Sequence, residues 1–298
     1  MEKTNAIKES FSDKVFLTIV YTFLILVVLV VLYPLIYIVS SSLSSPLAVS
    51  SGKVWLWPVD FSLKGYKAIF NNSQVLVGYG NSLFYTFFGT IISVTLTVLL
   101  AYPISRKSFY GRNFLMFFMM FTMLFSGGLI PEYLVVKNMH MLDTRWAIII
   151  PKAIAVWQVI IAVTFFRTSI PEEIVEASEM DGCSDLRFLW SVVLPLSKPI
   201  IAVLVLMYAI FQWNSYFDAM LYLKSEGLFP LQVVLRNILI LNTNTSATID
   251  AQKLMDMKQL SELMKYSLIV VASLPVLIIY PFVQRHFMKG VLIGSVKG

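Results

Sequence analysis

The chain has 298 residues, of which 58% are hydrophobic and only 13% charged, and its mean hydropathy is +0.77. Soluble domains carry roughly a quarter charged residues, so the composition excludes an ordinary soluble enzyme or binding module. The formal charge of +6 is scattered singly at segment ends, a pattern of membrane flanks and not of a nucleic-acid surface, and the lone Cys183 leaves no intrachain disulfide and no paired-cysteine metal or redox motif.

Six apolar runs reach or approach the roughly 20 residues needed to cross a bilayer core of about 30 Å. They lie near residues 15–39, 81–105, 113–130, 147–166, 200–223 and 266–284. The first is longer than the apolar stretch of a signal peptide. Ser40-Ser41-Ser42-Leu43-Ser44 after it offers neither an A-x-A cleavage site nor a lipobox cysteine, so a retained spanning helix is expected. Residues 50–80 then hold Trp55, Trp57, Pro58, Phe61, Tyr66 and Phe70, an aromatic set suited to the membrane interface, with a short amphipathic helix expected over 63–70. The third run is the weakest, because Ser126-Gly127-Gly128 and Pro131 interrupt it. Residues 224–265 read as a polar outer segment with a loop tip at Asn242-Thr243-Asn244-Thr245-Ser246. The expected organisation is an N-terminal tail at 1–14, a six-span domain at 15–284 and a C-terminal tail at 285–298, without internal repeats.

Six crossings put both tails on one side. The tails, the 106–112 gap and the 167–198 gap together hold twelve Lys or Arg, against eleven in the longer remaining gaps if Lys152 is counted with them. By the positive-inside rule the first set is cytosolic, and the short loop carrying Arg106, Lys107 and Arg112 speaks for it most clearly.

One polar island, 169–199, separates the fourth and fifth runs. Ser169-Ile170-Pro171-Glu172 has the S-x-x-E form of a capping box, with Pro171 in the first turn and Glu172 and Glu173 complementing the positive helix start. A helix is expected through Met180, ended by a left-handed turn at Gly182. Ser184 is placed to cap a second short helix, and Leu194-Pro195 and Pro199 break the chain before the fifth run.

The order Glu176-Ala177-Ser178, three residues, Gly182, nine residues, then Val192-x-Leu194-Pro195 resembles the EAA loop of binding-protein-dependent ABC importer permeases. Ser178 stands where that pattern has a second Ala, and Val192 where it has Ile. Ser126-Gly127-Gly128-Leu129-Ile130-Pro131, Leu142-Asp143-Thr144-Arg145-Trp146-Ala147, Trp213-Asn214 and the tail from Tyr280 to Gly298 are similar to carbohydrate-type permeases, nearest to the branch taking up complex oligosaccharides.

The resemblance implies an all-α transmembrane fold: a six-helix, type I ABC importer permease domain with a cytosolic coupling-helix loop at 169–199. It implies a multi-pass protein of the bacterial plasma membrane with both termini cytosolic. The implied partners are a second, unlike permease subunit, an ATPase subunit dimer, and an extracellular sugar-binding lipoprotein or receptor, all in a lipid bilayer. Glu176, Ala177, Ser178, Met180, Asp181 and Gly182 would couple to the ATPase. The chain has no G-x-x-x-x-G-K-[ST] loop, so ATP and Mg belong to that partner and the chain needs no cofactor of its own.

A sugar path calls for aromatic faces and hydrogen-bonding side chains. In the fifth run, Tyr208, Gln212, Ser215, Ala219 and Tyr222 share one helical face. Gln212, Trp213, Asn214 and Asp218, with Trp157 of the fourth run, are the path candidates; helix–helix packing is the plainer reading of the same residues. Lys152 and Arg145 are expected at the outer boundary, either reaching headgroups or meeting the receptor.

His140 and His286 lie far apart and make no metal site, and no Ser/His/Asp arrangement suggests a catalytic residue. Two alternatives stay open at this level. One is an ABC permease for a non-sugar solute such as a peptide or polyamine. The other is an ion-coupled secondary transporter, which would want intramembrane charges beyond the nearly solitary Asp218.

Overall fold

The computed structural model describes residues 10–241 and 251–295, and every regular element among them is helical. The helices begin with α1 (Phe11–Ser42), α2 (Pro46–Ser50), α3 (Lys64–Phe70) and α4 (Ser73–Ser105). Next come α5 (Arg112–Leu124), α6 (Leu129–Asn138), α7 (Trp146–Ile149), α8 (Val156–Ser169) and α9 (Glu172–Met180). A continuous bent stretch follows: α10 (Asp185–Phe188), a π-helical turn at Leu189–Val193, and α11 (Leu194–Leu196). The chain ends with α12 (Lys198–Trp213), α13 (Phe217–Tyr222), α14 (Leu231–Leu241) and α15 (Ala251–Ser295).

Among the described residues, α1, α4 and the 257–281 part of α15 are long and apolar enough to cross a membrane. The number rises to five if α5 with α6, bent by 116°, and 185–196 with α12, bent by 84°, each count as one crossing. The 14-residue α8 is apolar but shorter. Each of the six expected runs therefore contains an apolar helix, yet three of them are broken.

The breaks have local causes. The third run stops at Leu124, and Gly128 takes φ +88° before α6 turns away, a conformation that costs a glycine little. The fourth run was expected as one helix over 147–166; it is split because Pro151 has no N–H to donate and disfavours helical geometry before it. Helix geometry resumes only at Val156. In the fifth run the Asn214 side chain donates to the Ile210 carbonyl at 2.8 Å, competing with the backbone ladder. The expected single face is thereby divided: Tyr208 and Gln212 lie on α12, Ala219 and Tyr222 on α13, and Ser215 in the joint between them.

The expectation of a polar 224–265 segment is also corrected over its first part. α14 is apolar, and its Leu231, Val233 and Val234 are buried. The loop tip expected at 242–246 lies outside the described residues. α1 starts at Phe11, and α15 continues as helix to Ser295.

Two compact units are present, residues 1–71 with 242–271 and residues 72–241 with 272–298. In the first, the run after α1 is a polar staple. Ser40 Oγ donates to the Leu56 carbonyl, Ser44 Oγ to the Ser40 carbonyl and accepts from Val59 N–H, and the Ser42 and Tyr66 hydroxyls meet at 2.8 Å. α3 forms as expected, with Gly65 and Ile69 buried. Gly65 sits so close to Ser267 of α15 that a side chain would not fit.

In the second unit α4 packs against α12, α8 and α14. Its buried face carries Gly78, Ser82, Tyr85, Gly89, Ser93, Thr97 and Ala101 at spacings of three and four. Small residues let backbones approach closely where lipid removes the usual hydrophobic drive. Gly78 admits Val234 of α14 and Gly89 admits Gln212 of α12. One apolar core joins Val98, Ala101, Ile104, Val163, Phe166, Val175, Phe188 and Leu204. A second joins Tyr85, Val136, Ile148, Ala219, Tyr222 and Val233.

Candidate functional site

The polar island folds into α9 and the bent α10–α11 stretch. The capping box expected at Ser169 does not form. Pro171 holds Ile170 extended (φ −115°, ψ 99°), so Ser169 finishes α8 and the new helix starts at Glu172 with Pro171 as its N-cap. The Glu172 carboxylate, freed from capping, pairs with Lys107 at 2.5 Å.

The inner face of α9 follows from its periodicity. Glu172, Val175 and Glu179 repeat at helical spacing, and all three are anchored. Val175 is 6% exposed within the core built by α4, α8 and Phe188. Arg106, at the end of α4, reaches Glu179 at 3.5 Å, and its guanidinium lies 5.4 Å from the Phe188 ring centroid and 5.8 Å from that of Tyr102. The short helix is thus clamped at both ends to the α4–α5 connection.

The outer face has no cover among the described residues. Glu173, Glu176 and Ala177 are exposed, and Met180 is 89% exposed. Ser178 is half-buried and donates to the Val175 carbonyl. Asp181 and Gly182 are exposed at the tip. The end of α9 is a Schellman turn: Cys183 N–H reaches the Ser178 carbonyl at 2.9 Å and Gly182 N–H the Glu179 carbonyl at 3.0 Å. Gly182 has φ +69°, the left-handed conformation that the motif asks of it. Ser184 takes the N-cap position of α10 and its carbonyl accepts from Phe188 N–H, but its side chain does not make the expected capping bond. Leu186 and Trp190 then add exposed apolar surface. The six coupling candidates are therefore brought together on one corner, five of them exposed and Ser178 half-buried.

The path candidates are not brought together in the same way. Gln212 is buried against Gly89, and its amide finds no hydrogen-bond partner among the described residues. Trp213 is buried, donates its indole N–H to the Ala272 carbonyl at 2.9 Å, and meets Tyr79 edge-on. Asp218 is bonded to Lys152 at 2.7 Å. Asn214 and Trp157 are exposed.

Sequence reasoning missed the engagement of Lys152 and Arg145. Lys152, half-open to a cavity of about 360 Å³ that Glu132 and Tyr222 also line, neutralises Asp218. Arg145 donates to Asn81 Oδ1 at 3.3 Å and lies 4.4 Å from the Phe84 ring centroid. Nothing local in the sequence signals either contact. Asp143, with φ +58°, accepts from Ser225 hydroxyl at 2.6 Å and from the Ser225 and Lys224 N–H groups at 2.8 Å each.

Residues 93–293 match the family described as the binding-protein-dependent transport system inner membrane component. The chain is 41% identical over 293 residues to YtcP of Bacillus subtilis (strain 168), a polygalacturonan/rhamnogalacturonan transport system permease protein, covering 96% of this chain and 99% of that one. It is 40% identical to LplC of the same organism over 269 residues, 90% of each chain. A solved bacterial ABC transporter involved in the import of the acidic polysaccharide alginate contains a chain that superimposes with a TM-score of 0.87. That chain is 36% identical, and the match covers 95% of this chain and all of its counterpart.

Proposed function

The chain belongs to the binding-protein-dependent transport system inner membrane components, the permeases of ABC importers, and we propose that it forms half of an oligosaccharide path opened by ATPase subunits pressing on α9. The observation that carries this reading is the two-sided character of α9. Val175, Lys107–Glu172 and Arg106–Glu179 fix its inner face to the membrane helices, while Glu176, Ala177, Met180 and Gly182 are left bare. A helix so attached offers a push on its bare face a path into the membrane helices.

The substrate class is supported by the relatives, whose names specify polygalacturonan/rhamnogalacturonan and alginate. These favour an oligosaccharide rich in uronic acids over a peptide, a polyamine or a coupling ion. In this reading an extracellular receptor delivers the sugar, an unlike permease completes the path, and both termini lie in the cytosol with α9. ATP is hydrolysed on the partner subunits.

The test is co-purification with the neighbouring gene products, followed by ATPase assay in liposomes with the receptor and either oligogalacturonides or neutral oligosaccharides. ATPase subunits retained, with activity stimulated by the loaded receptor, support the reading. A chain that purifies without an ATPase overturns it.

A further inference from the structure

At the foot of α9 lies a cavity of about 320 Å³ lined by Tyr102, Arg106, Lys107, Arg112, Arg167 and Glu172, among others. Four cations meet one carboxylate on its wall. Glu172 answers Lys107, and Glu179, from outside the cavity, answers Arg106. Two positive charges are left over. Arg167 uses one nitrogen on the Ile104 carbonyl at 3.0 Å, and the Arg112 side chain, half-buried, has no partner among the described residues. Both guanidiniums retain donors of the planar kind that suits phosphate oxygens.

Three apolar helices end around this cavity: α4 and α8 by their C-termini and α5 by its first residue, Arg112. Ends of membrane helices lie at headgroup depth, where Arg and Lys meet lipid phosphates. α5 and α9 both begin here, and helix starts favour anions. The volume exceeds that of a bare phosphate and leaves space for its substituent.

We propose that the cavity is a phosphate site filled by the headgroup of an anionic phospholipid, held chiefly by Arg112 and Arg167. A ligand there neutralises the surplus charge in the wall to which α9 is clamped. Anionic lipid thereby stiffens the corner that carries Glu176 and Gly182. That consequence for coupling rests on the function proposed above; the binding itself does not.

The test uses the full-length chain in nanodiscs of phosphatidylcholine, with or without phosphatidylglycerol. Native mass spectrometry reads the retained lipid, and phosphorus NMR reads binding of inorganic phosphate. Retained phosphatidylglycerol should fall roughly fivefold for each of Arg112→Gln and Arg167→Gln, the loss of about one phosphate contact apiece, and recover only in part in Arg112→Lys, which keeps the charge but not the planar donors. Arg167→Gln also removes the bond to Ile104, so Arg112→Gln is the decisive variant should the other fail to fold. Lipid adducts that inorganic phosphate does not displace assign the site to a headgroup. Arginine-dependent binding of inorganic phosphate without lipid retention moves the source to free phosphate and overturns the lipid assignment. Equal lipid retention in wild type and Arg112→Gln, with no phosphate bound, overturns the site. None of these readouts needs an ATPase, so failure here is separable from failure of the importer reading.

Discussion

The Arg106 guanidinium stands 3.5 Å from the Glu179 carboxylate while facing the Phe188 ring at 5.4 Å, tying the end of α4 to the last turn of α9. Glu179 is well exposed and Arg106 is not. A pair half open to water stabilises the fold by about 1 kcal/mol or less. Under the proposed function its importance is mechanical. Arg106→Glu or Glu179→Arg should insert and fold normally but lower solute moved per ATP hydrolysed, and the double exchange should restore part of the ratio. The check is parallel transport and ATPase assay of the two single variants and the double.

Gly182 gives the second prediction. Among the described residues nothing lies within 4 Å of where a Cβ would stand, so a side chain meets none of them. The penalty is in the backbone: φ +69° costs an L-residue roughly 1–2 kcal/mol, more for a β-branched one. Gly182→Val should therefore distort the Schellman turn, leaving insertion intact while ATP hydrolysis proceeds without matching uptake. Gly182→Asn, which tolerates the left-handed region, should retain most coupling. Full transport by Gly182→Val would remove this turn from the mechanism.

Lys152 and Asp218 supply the third. The Asp218 side chain is only 12% exposed, against 42% for Lys152. Removing the lysine strands a mostly buried carboxylate, whereas replacing both removes the need for pairing. Lys152→Met is expected to cost about 1–3 kcal/mol, discounted for the open side of the pair, and Lys152→Met with Asp218→Leu clearly less. Thermal unfolding in detergent reads the difference. Transport by the double variant also decides whether Asp218 contacts solute or only supports α13.

The helix and turn of the polar island were legible because their signals are contiguous: the residues from Glu172 to Gly182 fix a helix and its stop within one stretch of chain. What holds the corner was not, since Lys107 and Arg106 come from the α4–α5 connection, and pairing across the sequence leaves no local trace. The break at Pro151 was not read, because the 147–166 run was placed on its apolar content alone. α14 was overlooked for a different reason. Polar neighbours at 242–265 masked the apolar 231–241 stretch, whose Leu231 and Val234 pack on Gly78. For the path candidates sequence could nominate polar residues in a span but not their partners. The Trp213 indole bond to Ala272 and the Gln212 contact with Gly89 depend on how α4, α12 and α15 pack.

Gly89 and Gln212 give a fourth prediction. A Cβ on Gly89 would stand 2.7 Å from Gln212 Cδ and 2.8 Å from Nε2. Gln212 is 2% exposed and has little room to yield. Gly89→Ala should thus cost about 1–3 kcal/mol through overpacking. Gly89→Ala combined with Gln212→Ala should regain most of that loss, a coupling that thermal unfolding of the single and double variants measures. Unchanged transport in Gln212→Ala would identify this glutamine as packing and not path.

Asp143 gives the last. The Ser225 hydroxyl, then the Ser225 and Lys224 N–H groups, hold its carboxyl below the usual aspartate value. All three bonds favour the charged form. A carboxyl whose folded pKa is depressed contributes stability that is complete above its unfolded value of about 3.9 and is lost as pH falls through the lower folded one. The clasp between the 139–145 loop and Lys224–Ser225 should consequently hold through neutral and mildly acidic conditions and open only below the ordinary carboxylate range. Ser225→Ala removes the largest contribution and should move that opening to higher pH. Hydrogen exchange at the Lys224 and Ser225 amides against pH reads both. Opening near neutral pH in the unaltered protein would contradict the assigned charge-stabilising role of these bonds.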